Sequence, residues 1–594
     1  MSEGLHAILE KHRHEPTQLV QILRDVMRSD GTLGAKTLTV IAQDLGLPRA
    51  RVEGVAGFYS FFTTDEDVGR FRVLFSDNIT DEMQGSHALR RRMLDAFDVE
   101  LGGTSRDGLV TIGATSCTGL CDQGPAMLVN GRAIGRLDLA RIGAIASLLR
   151  SETPVEEWPA NLFEIETHVE RKDLLLATPL APGEAITAAI AAGRDATLEQ
   201  IRASKLRGRG GAGYPTATKW EACKNATGAQ RTVVCNADEG EPGTFKDRVL
   251  LSDWADLVFE GMTVAAWVVG ASRGFVYLRG EYEFLGPHLH KVLDARRRAG
   301  LLGYNVAGAR GFEFDIEIAW GAGAYVCGEE TALLESLEGK RGIPRNRPPY
   351  PVTHGYLGTP TSVNNVETLA AAAHIALRGG SWFTARGTPK SAGTKVHSVS
   401  GDVARPGIYE LPFGVTVQEL LDLAGAKDAQ AVQVGGPSGA LLSRAEFGRR
   451  VAFEDVPSAG AFMVFDETRD IVEVVDNFAR FFAHESCGFC TPCRVGTTLM
   501  AQMTHRLATG KGTRRDIKDL ARVAGVMRGA SHCGLGATAG NPVVAGLDKF
   551  RPAFNRRLAS LEVMPSFDLD EALAPAREAT GREDARAHIP SVKP

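Results

Sequence analysis

Apolar residues recur every three to four positions near the start of the chain: Leu19, Ile22, Leu23, Val26 and Met27, then Leu38, Ile41, Ala42 and Leu45 ahead of Gly46 and Pro48, then Val52, Val55, Phe58, Tyr59 and Phe62. That period places one apolar stripe on each helix and predicts a small helical bundle over residues 1–66. The pattern then changes. Phe71-Arg-Val-Leu-Phe75 reads as a short strand, Leu89 to Phe97 is helical, and Leu109-Val-Thr-Ile112 and Met127-Leu-Val129 are further strands, so a small α/β unit is expected over 67–150. Residues 151–172 carry prolines and few apolar repeats, which predicts a linker.

From residue 173 to about 390 the chain is glycine-rich and alternates strand-like and helix-like stretches, among them the apolar run Val233-Val-Cys235. Residues 391–465 hold Val396-His-Ser-Val-Ser-Gly401, Gly407-Ile-Tyr-Glu410 and Val415-Thr-Val-Gln-Glu-Leu-Leu421, the strands and helix of a compact α+β module. Helical periodicity resumes over 466–560, and the charged, proline-bearing tail 561–594 is expected to pack poorly. Single cores stop growing near roughly 250–300 residues, so a chain of 594 residues is expected to be an α/β multidomain protein.

Composition narrows the function classes. With 44% hydrophobic and 23% charged residues the chain is an ordinary globular protein, and disorder is not the expectation. A net charge of −5 gives no means of gripping a polyanion, and Lys511-Gly-Thr-Arg-Arg-Asp-Ile-Lys518 is read as a solvated helix face, so no nucleic-acid partner is expected. Met1-Ser-Glu-Gly-Leu-His6 runs into charged residues and shows no secretory signal, which makes the cytoplasm the expected location. The apolar segment Gly261 to Gly270 is shorter than the roughly 20 residues a membrane helix needs, and reads as a buried core helix.

Nine cysteines in such a chain point to metal ligation or redox chemistry more than to disulfides. Cys487-Gly-Phe-Cys490-Thr-Pro-Cys493 is a C-x-x-C-x-x-C run, a spacing that lets one loop wrap three thiolates around a corner of an iron-sulfur cube. Cys533 follows 40 residues after Cys493, across helical sequence that can fold back, and completes four ligands for a [4Fe-4S] cluster. Tetrahedral zinc is the competitor, but structural zinc sites usually pair their ligands in two separate knuckles. Cys223, Cys235 and Cys327 have no partner at ligand spacing and read as small buried residues.

Three glycine-rich loops are the other chemical signal. Gly208-Arg-Gly-Gly-Ala-Gly213 contains G-x-G-x-x-G, yet it follows a helical stretch and runs into Tyr214-Pro215, so an ordinary dinucleotide fold is the poorer reading. Residues without Cβ still let backbone N–H groups approach an anion or a flat ring, and Arg209 and Lys219 add positive charge. Asn236-Ala-Asp-Glu-Gly-Glu-Pro-Gly243 ends an apolar strand, and Gly321-Ala-Gly-Ala-Tyr-Val-Cys-Gly-Glu-Glu330 links a strand to a helix. Each alone is often a mere turn; three together suit a nucleotide or flavin phosphate.

These motifs, with Arg347-Pro-Pro-Tyr350 and Asn364-Asn-Val-Glu367, resemble in order those of the flavoprotein subunit that accepts electrons from NADH in respiratory complex I and related soluble enzymes, from about Ile201 to Leu535. The resemblance implies a Rossmann-like FMN and NADH domain over 173–390, a ubiquitin-like β-grasp (SLBB-like) domain over 391–465 and a cluster-bearing helical bundle over 466–560. It makes Gly208, Arg209, Gly210, Gly211, Lys219, Asn236, Asp238, Glu239, Gly328, Asn364 and Asn365 FMN contacts. It places Tyr214, Glu329, Glu330, Arg347 and Tyr350 toward NAD(H), with hydride transfer at the flavin near Glu329 and Glu330 and no acid or base residue. Tyr214 and Tyr350 stand where phenylalanine is usual and Arg347 where lysine is usual, changes that keep stacking and charge.

The N-terminal part resembles the thioredoxin-like iron-sulfur subunit of the same complexes, here fused to the flavoprotein. That family holds a [2Fe-2S] cluster with a C-x₄-C and a C-x₃-C pair. Only the second pair is present, as Cys117 and Cys121, and the first maps onto Ser76 and Asp81. Two alternatives stay open, a mixed-ligand centre or a domain kept for docking. A fusion with that pair lost resembles the flavoprotein (alpha, diaphorase) subunits of soluble NAD-reducing [NiFe]-hydrogenases, which implies partner iron-sulfur and hydrogenase subunits in a hetero-oligomer. The chain lacks the paired C-x-x-C motifs of a nickel-iron site, so that chemistry would belong to the partners. Equivalent subunits of complex I or of an NAD-dependent formate dehydrogenase, a free-standing NADH dehydrogenase and a non-redox scaffold are the rival readings.

Overall fold

The computed structural model describes residues 3–64, 68–559 and 569–582. Helices Glu3–Lys11, Leu19–Asp30, Ala35–Asp44 and Arg49–Ala56 open the chain, the last three along the predicted apolar period. Leu19–Asp30 buries Leu19, Ile22, Leu23 and Val26, and ends at Gly31, whose φ of 75° brings its N–H onto the Met27 carbonyl.

A four-stranded sheet follows. β1 (Phe71–Ser76) runs parallel to β2 (Val110–Thr115), and β3 (Met127–Val129) and β4 (Arg132–Ile134) add antiparallel pairings in the order β2-β1-β3-β4. Segment 151–172 is more than the linker its composition suggests. Trp158 and Leu162 join the core of this sheet, with Trp158 stacked on Phe163, and β5 (Val169–Arg171) pairs with a later sheet. The buried residues of that segment follow no period, so pattern alone does not reveal them.

The sheet that positions the chemistry is fully parallel: β6 (Thr232–Ala237), β7 (Arg273–Leu278), β8 (Asp315–Trp320) and β9 (Thr361–Asn365), in the order β8-β7-β6-β9. Helices Ala255–Val269 and Val366–Arg378 pack on it and on each other. The first is the core helix expected around Gly261–Gly270. Its Gly261 is indispensable, because an added Cβ would lie 1.9 Å from the Leu369 carbonyl oxygen.

β10 (Thr394–Gly401), β11 (Gly407–Pro412), β12 (Ala429–Val434), β13 (Ala440–Ser443) and β14 (Ala461–Asp466) form a mixed sheet with β5, in the order β13-β12-β14-β10-β11-β5. Helices Ile471–Glu485, Thr491–Ala508, Arg514–Ala530, Asn541–Lys549 and Arg551–Arg556 build the C-terminal bundle. Of the tail, residues 569–582 are described and contain helix Leu569–Thr580; the rest of that expectation lies outside the described residues. One apolar cluster joins Leu23 and Val55 of the first helices, Leu333 and Leu337 behind β8, and Phe478 of the last bundle.

Two buried histidines give the fold a pH dependence. Burial lowers His374 to about 4 and His397 to about 3. Between those values and the ordinary 6.5 the unfolded chain binds protons that the folded chain does not, so stability rises with pH there. Acidifying from about pH 7 to about pH 5 is expected to lower the thermal midpoint, and His374→Phe to flatten part of that slope. Midpoints equal across the window would contradict this.

Candidate functional site

Parallel strands deliver the three candidate segments to one edge of the sheet, where open α/β folds place ligands. β6 and β9 are hydrogen-bonded neighbours that end together, Cys235 opposite Asn364 and Asn236 opposite Asn365, while Gly321 leaves the end of β8. Asn236 donates to the Gly328 carbonyl at 2.8 Å, tying the second loop to the third. Trp220 donates to Asn364 at 2.9 Å, and Asn365 caps helix Val366–Arg378 through the Glu367 N–H at 3.0 Å.

The first loop closes on itself, the Gly208 N–H donating to the Tyr214 carbonyl at 2.9 Å, and Gly211 and Gly213 take φ of 122° and 62°. Gly210 passes so close to Asn365 that a Cβ there would lie 3.1 Å from the asparagine Cβ. Asp238 Oδ2 is buried without a hydrogen-bond partner, and burial raises its carboxyl well above the usual range. An unpaired buried acceptor beside glycines that leave room for a ligand fits a polyhydroxylated cofactor such as FMN, whose ribityl hydroxyls can donate to it.

Two carboxylates edge the same loops. Glu329 caps helix Glu330–Leu337, accepting from the Thr331 and Ala332 N–H groups at 3.0 Å each, and its other oxygen lies 3.5 Å from the Arg347 guanidinium. Glu330 pairs with Lys219 at 2.7 Å, and Lys219 also donates to the Val363 carbonyl at 3.0 Å. Tyr214 and Tyr350 are more than half exposed, as aromatic rings awaiting a stacking partner would be.

Two side chains point elsewhere. The Arg209 guanidinium donates to the carbonyls of Arg207 and Ala392 and stacks on Phe413, and its N–H donates to Thr368. The Glu239 carboxylate accepts from the N–H groups of Asp247 and Arg248 and from the Tyr282 hydroxyl, the last at 2.9 Å. Behind the site lies a buried network that sequence reasoning missed: Glu367 with Lys395 and Lys246, and Asp247 with Lys246 and Asn365. A lone lysine inside the apolar strand β10 was the available signal.

The four cysteines of the C-terminal motif come together. Cys487 and Cys490 precede helix Thr491–Ala508, Cys493 lies in its first turn, and the return through Arg514–Ala530 brings back Cys533. With Ser486, Pro344 and His532 they line one pocket. A single zinc would draw its sulfurs to about 3.8 Å from one another. No three of these thiols lie within 4.8 Å of one another among the described residues, a spread that suits a cube. His532 Nε2 lies 3.1 Å from the Pro344 carbonyl oxygen, which seats this pocket against the flavin loops. Burial and, less strongly, the nearby Glu329 carboxylate raise the Cys533 thiol.

Ser76, Asp81, Cys117 and Cys121 also meet, all fully buried, with the two sulfurs 3.6 Å apart. Asn78 stands among them. Its amide nitrogen lies 3.3 Å from Cys117 Sγ, 3.7 Å from Cys121 Sγ and 2.6 Å from Asp81 Oδ2, while Ser76 and the Ala126 N–H donate to the same carboxylate at 2.8 Å each. The oxygens are satisfied within the protein and the carboxamide fills the space between them and the sulfurs. As packed, this donor set does not form an open cage for a [2Fe-2S] cluster.

Family models match in chain order: the thioredoxin-like [2Fe-2S] ferredoxin over residues 5–150, the Nuo51 FMN-binding domain over 201–374, the SLBB domain over 396–440 and the NADH-ubiquinone oxidoreductase-F iron-sulfur binding region over 473–557. The NAD-reducing hydrogenase HoxS subunit alpha of Cupriavidus necator is 42% identical over 590 residues, 96% of this chain and 98% of that one. The chain belongs to the NAD-reducing hydrogenase alpha-subunit family. This alpha subunit is thus an α/β multidomain protein, with thioredoxin-like, FMN-binding, SLBB and iron-sulfur regions in that order. A chain of a crystallised NAD+-reducing [NiFe]-hydrogenase in the H2-reduced state superposes with a TM-score of 0.90 at 44% identity, covering 97% of the alpha subunit and 100% of that chain. An NADH-quinone oxidoreductase chain of Rhizobium meliloti is 40% identical over 61% of the alpha subunit and 88% of its own length. Among the described residues no helix is long and apolar enough to cross a membrane.

Proposed function

We propose that this chain is the diaphorase component of a cytoplasmic NAD-reducing hydrogenase. It exchanges a hydride between NAD(H) and FMN and passes electrons singly to or from iron-sulfur clusters, so that with its partner subunits dihydrogen and NAD+ give NADH and a proton. The match to an alpha subunit along nearly its whole length carries this reading. Relatives among the NADH-quinone oxidoreductases share the same motifs over a smaller part of the chain, which makes a complex I assembly the second choice.

Bound FMN would supply the exchange between two-electron and one-electron chemistry. The chain's own task is placement. In this reading Gly208, Gly210, Gly211, Gly328, Asn236, Asn364 and Asn365 shape the cradle, Asp238 accepts a cofactor hydroxyl, and Lys219 offsets negative charge. Arg209 and Glu239 act one layer out, holding the loops rather than touching the ring. Glu329, Glu330 and Arg347 meet the polar parts of the dinucleotide, and Tyr214 and Tyr350 stack on its rings, fixing the alignment that hydride transfer requires. Cys487, Cys490, Cys493 and Cys533 hold the [4Fe-4S] cluster. The closed arrangement of Ser76, Asp81, Cys117 and Cys121 favours the N-terminal domain as a packing element. Domain limits at 66, 150, 172, 390, 465 and 560 belong to the same proposal.

The test separates the chain from its partners. Purified alone with FMN, it is expected to oxidise NADH with ferricyanide, whereas dihydrogen-driven reduction of NAD+ requires the full complex. An FMN-loaded chain that cannot oxidise NADH would overturn the reading.

A further inference from the structure

The N-terminal bundle and the loop carrying Glu329 and Glu330 are built into one another. After helix Arg49–Ala56 the chain turns through Tyr59-Ser60-Phe61 against the stretch leaving β8. The Ser60 and Phe61 N–H groups donate to the carbonyls of Gly323 and Ala322 at 3.2 and 3.1 Å, and the Ser60 hydroxyl donates to Gly323 at 2.6 Å. The Tyr59 hydroxyl lies 2.8 Å from Ser336 Oγ and donates to the Lys340 carbonyl at 2.7 Å, gripping the far end of helix Glu330–Leu337. Ser336 in turn meets the Tyr277 hydroxyl of β7 at 2.7 Å. Gln21 exchanges two hydrogen bonds with the Trp320 backbone, covering the open edge of β8.

Sterics show how close this contact is. A Cβ at Gly323 would lie 2.4 Å from Ser60 Oγ and 2.6 Å from the Phe61 ring; one at Gly280 would lie 2.9 Å from Phe61, and one at Gly339 2.6 Å from the Pro16 carbonyl. Three glycines of the flavin domain thus clear room for the N-terminal segment. Behind them Leu333, Leu334 and Leu337 share a core with Val52 and Val55. Glu329 and Glu330 sit at one end of a helix whose other end Tyr59 holds.

We infer that the Tyr59–Phe61 turn is a positioning element of the dinucleotide site, holding the 321–330 loop in the conformation that presents Glu329 and Glu330. This rests on the reading that those carboxylates face NAD(H). It gives the N-terminal region a part in the reaction that needs no metal centre of its own.

The experiment uses the assembled, FMN-loaded complex with Tyr59→Phe and, as the milder change, Ser60→Ala. Loss of one partner of a buried hydrogen bond is expected to raise the KM for NADH about five- to tenfold, with kcat within about twofold and FMN content unchanged. Backbone hydrogen exchange over residues 321–337 should quicken in both variants. A lower thermal midpoint with unchanged KM and unchanged exchange would reduce the turn to simple packing and overturn the inference. Glu330→Gln serves as the control: if it leaves KM unaltered, the reading of the carboxylates fails; if it raises KM while Tyr59→Phe and Ser60→Ala do not, only the positioning role fails.

Discussion

Replacing Cys533 by alanine is expected to remove the cluster and, with it, electron exchange with the partner subunits. Three thiolates arrive on one short loop, but the fourth is supplied by a hairpin of two long helices, and no other cysteine lines the pocket. Loss of an outer-shell partner of a metal site commonly costs about 10–100-fold, so loss of a ligand should cost at least the upper figure in hydrogen-dependent NAD+ reduction. Flavin reduction by NADH should survive, because that step uses none of the four thiols. Cys327→Ala is the contrast: this thiol is buried and raised by burial, and lies beside the Tyr59–Ser336 contact instead. Iron analysis and EPR decide it; a Cys533→Ala protein with full iron and an unchanged signal would exclude the assignment.

Glu367→Gln is expected to be the most destabilising single substitution behind the site. The carboxylate is fully buried, is paired with Lys395 and with Lys246 at 3.1 Å, and accepts from the Val396 N–H at 2.9 Å. Burial alone would raise Glu367; Lys395, Lys246 and Arg209 hold it ionised, well below the usual range. Removing one member of a buried ion pair strands the other charges and typically costs about 3–5 kcal/mol. The thermal midpoint and soluble yield should fall sharply, and Glu367→Gln with Lys395→Met should recover much of the loss. A single variant within about 0.5 kcal/mol of the parent would mean water reaches the network.

What was legible in sequence follows from the range of the interactions. The helix at Leu19–Asp30 and the core helix around Gly261 announce themselves by local period, and the cysteine quartet by spacing set within one loop and one helical return. The three glycine loops were readable because strands precede two of them. Contacts across hundreds of residues were not: nothing near Tyr59 signals Ser336 or Lys340, and nothing near Trp158 signals its burial beside Phe71. Side-chain direction was also hidden. Arg209 looked like a phosphate partner from its loop, but Ala392 and Phe413, which redirect it, lie in distant sequence. Asn78, which occupies the space between Asp81 and the two N-terminal thiols, was passed over because an asparagine two residues after a strand reads as an ordinary turn.

The central claim is that NADH feeds electrons through FMN into one cube on this chain. The most direct measurement is an anaerobic NADH titration of the isolated FMN-loaded chain, followed by optical and EPR spectroscopy with metal analysis. The account predicts bleaching of one flavin, a reduced [4Fe-4S] signal and about four irons per chain. Zinc in place of iron, or a flavin that NADH leaves oxidised, would contradict it.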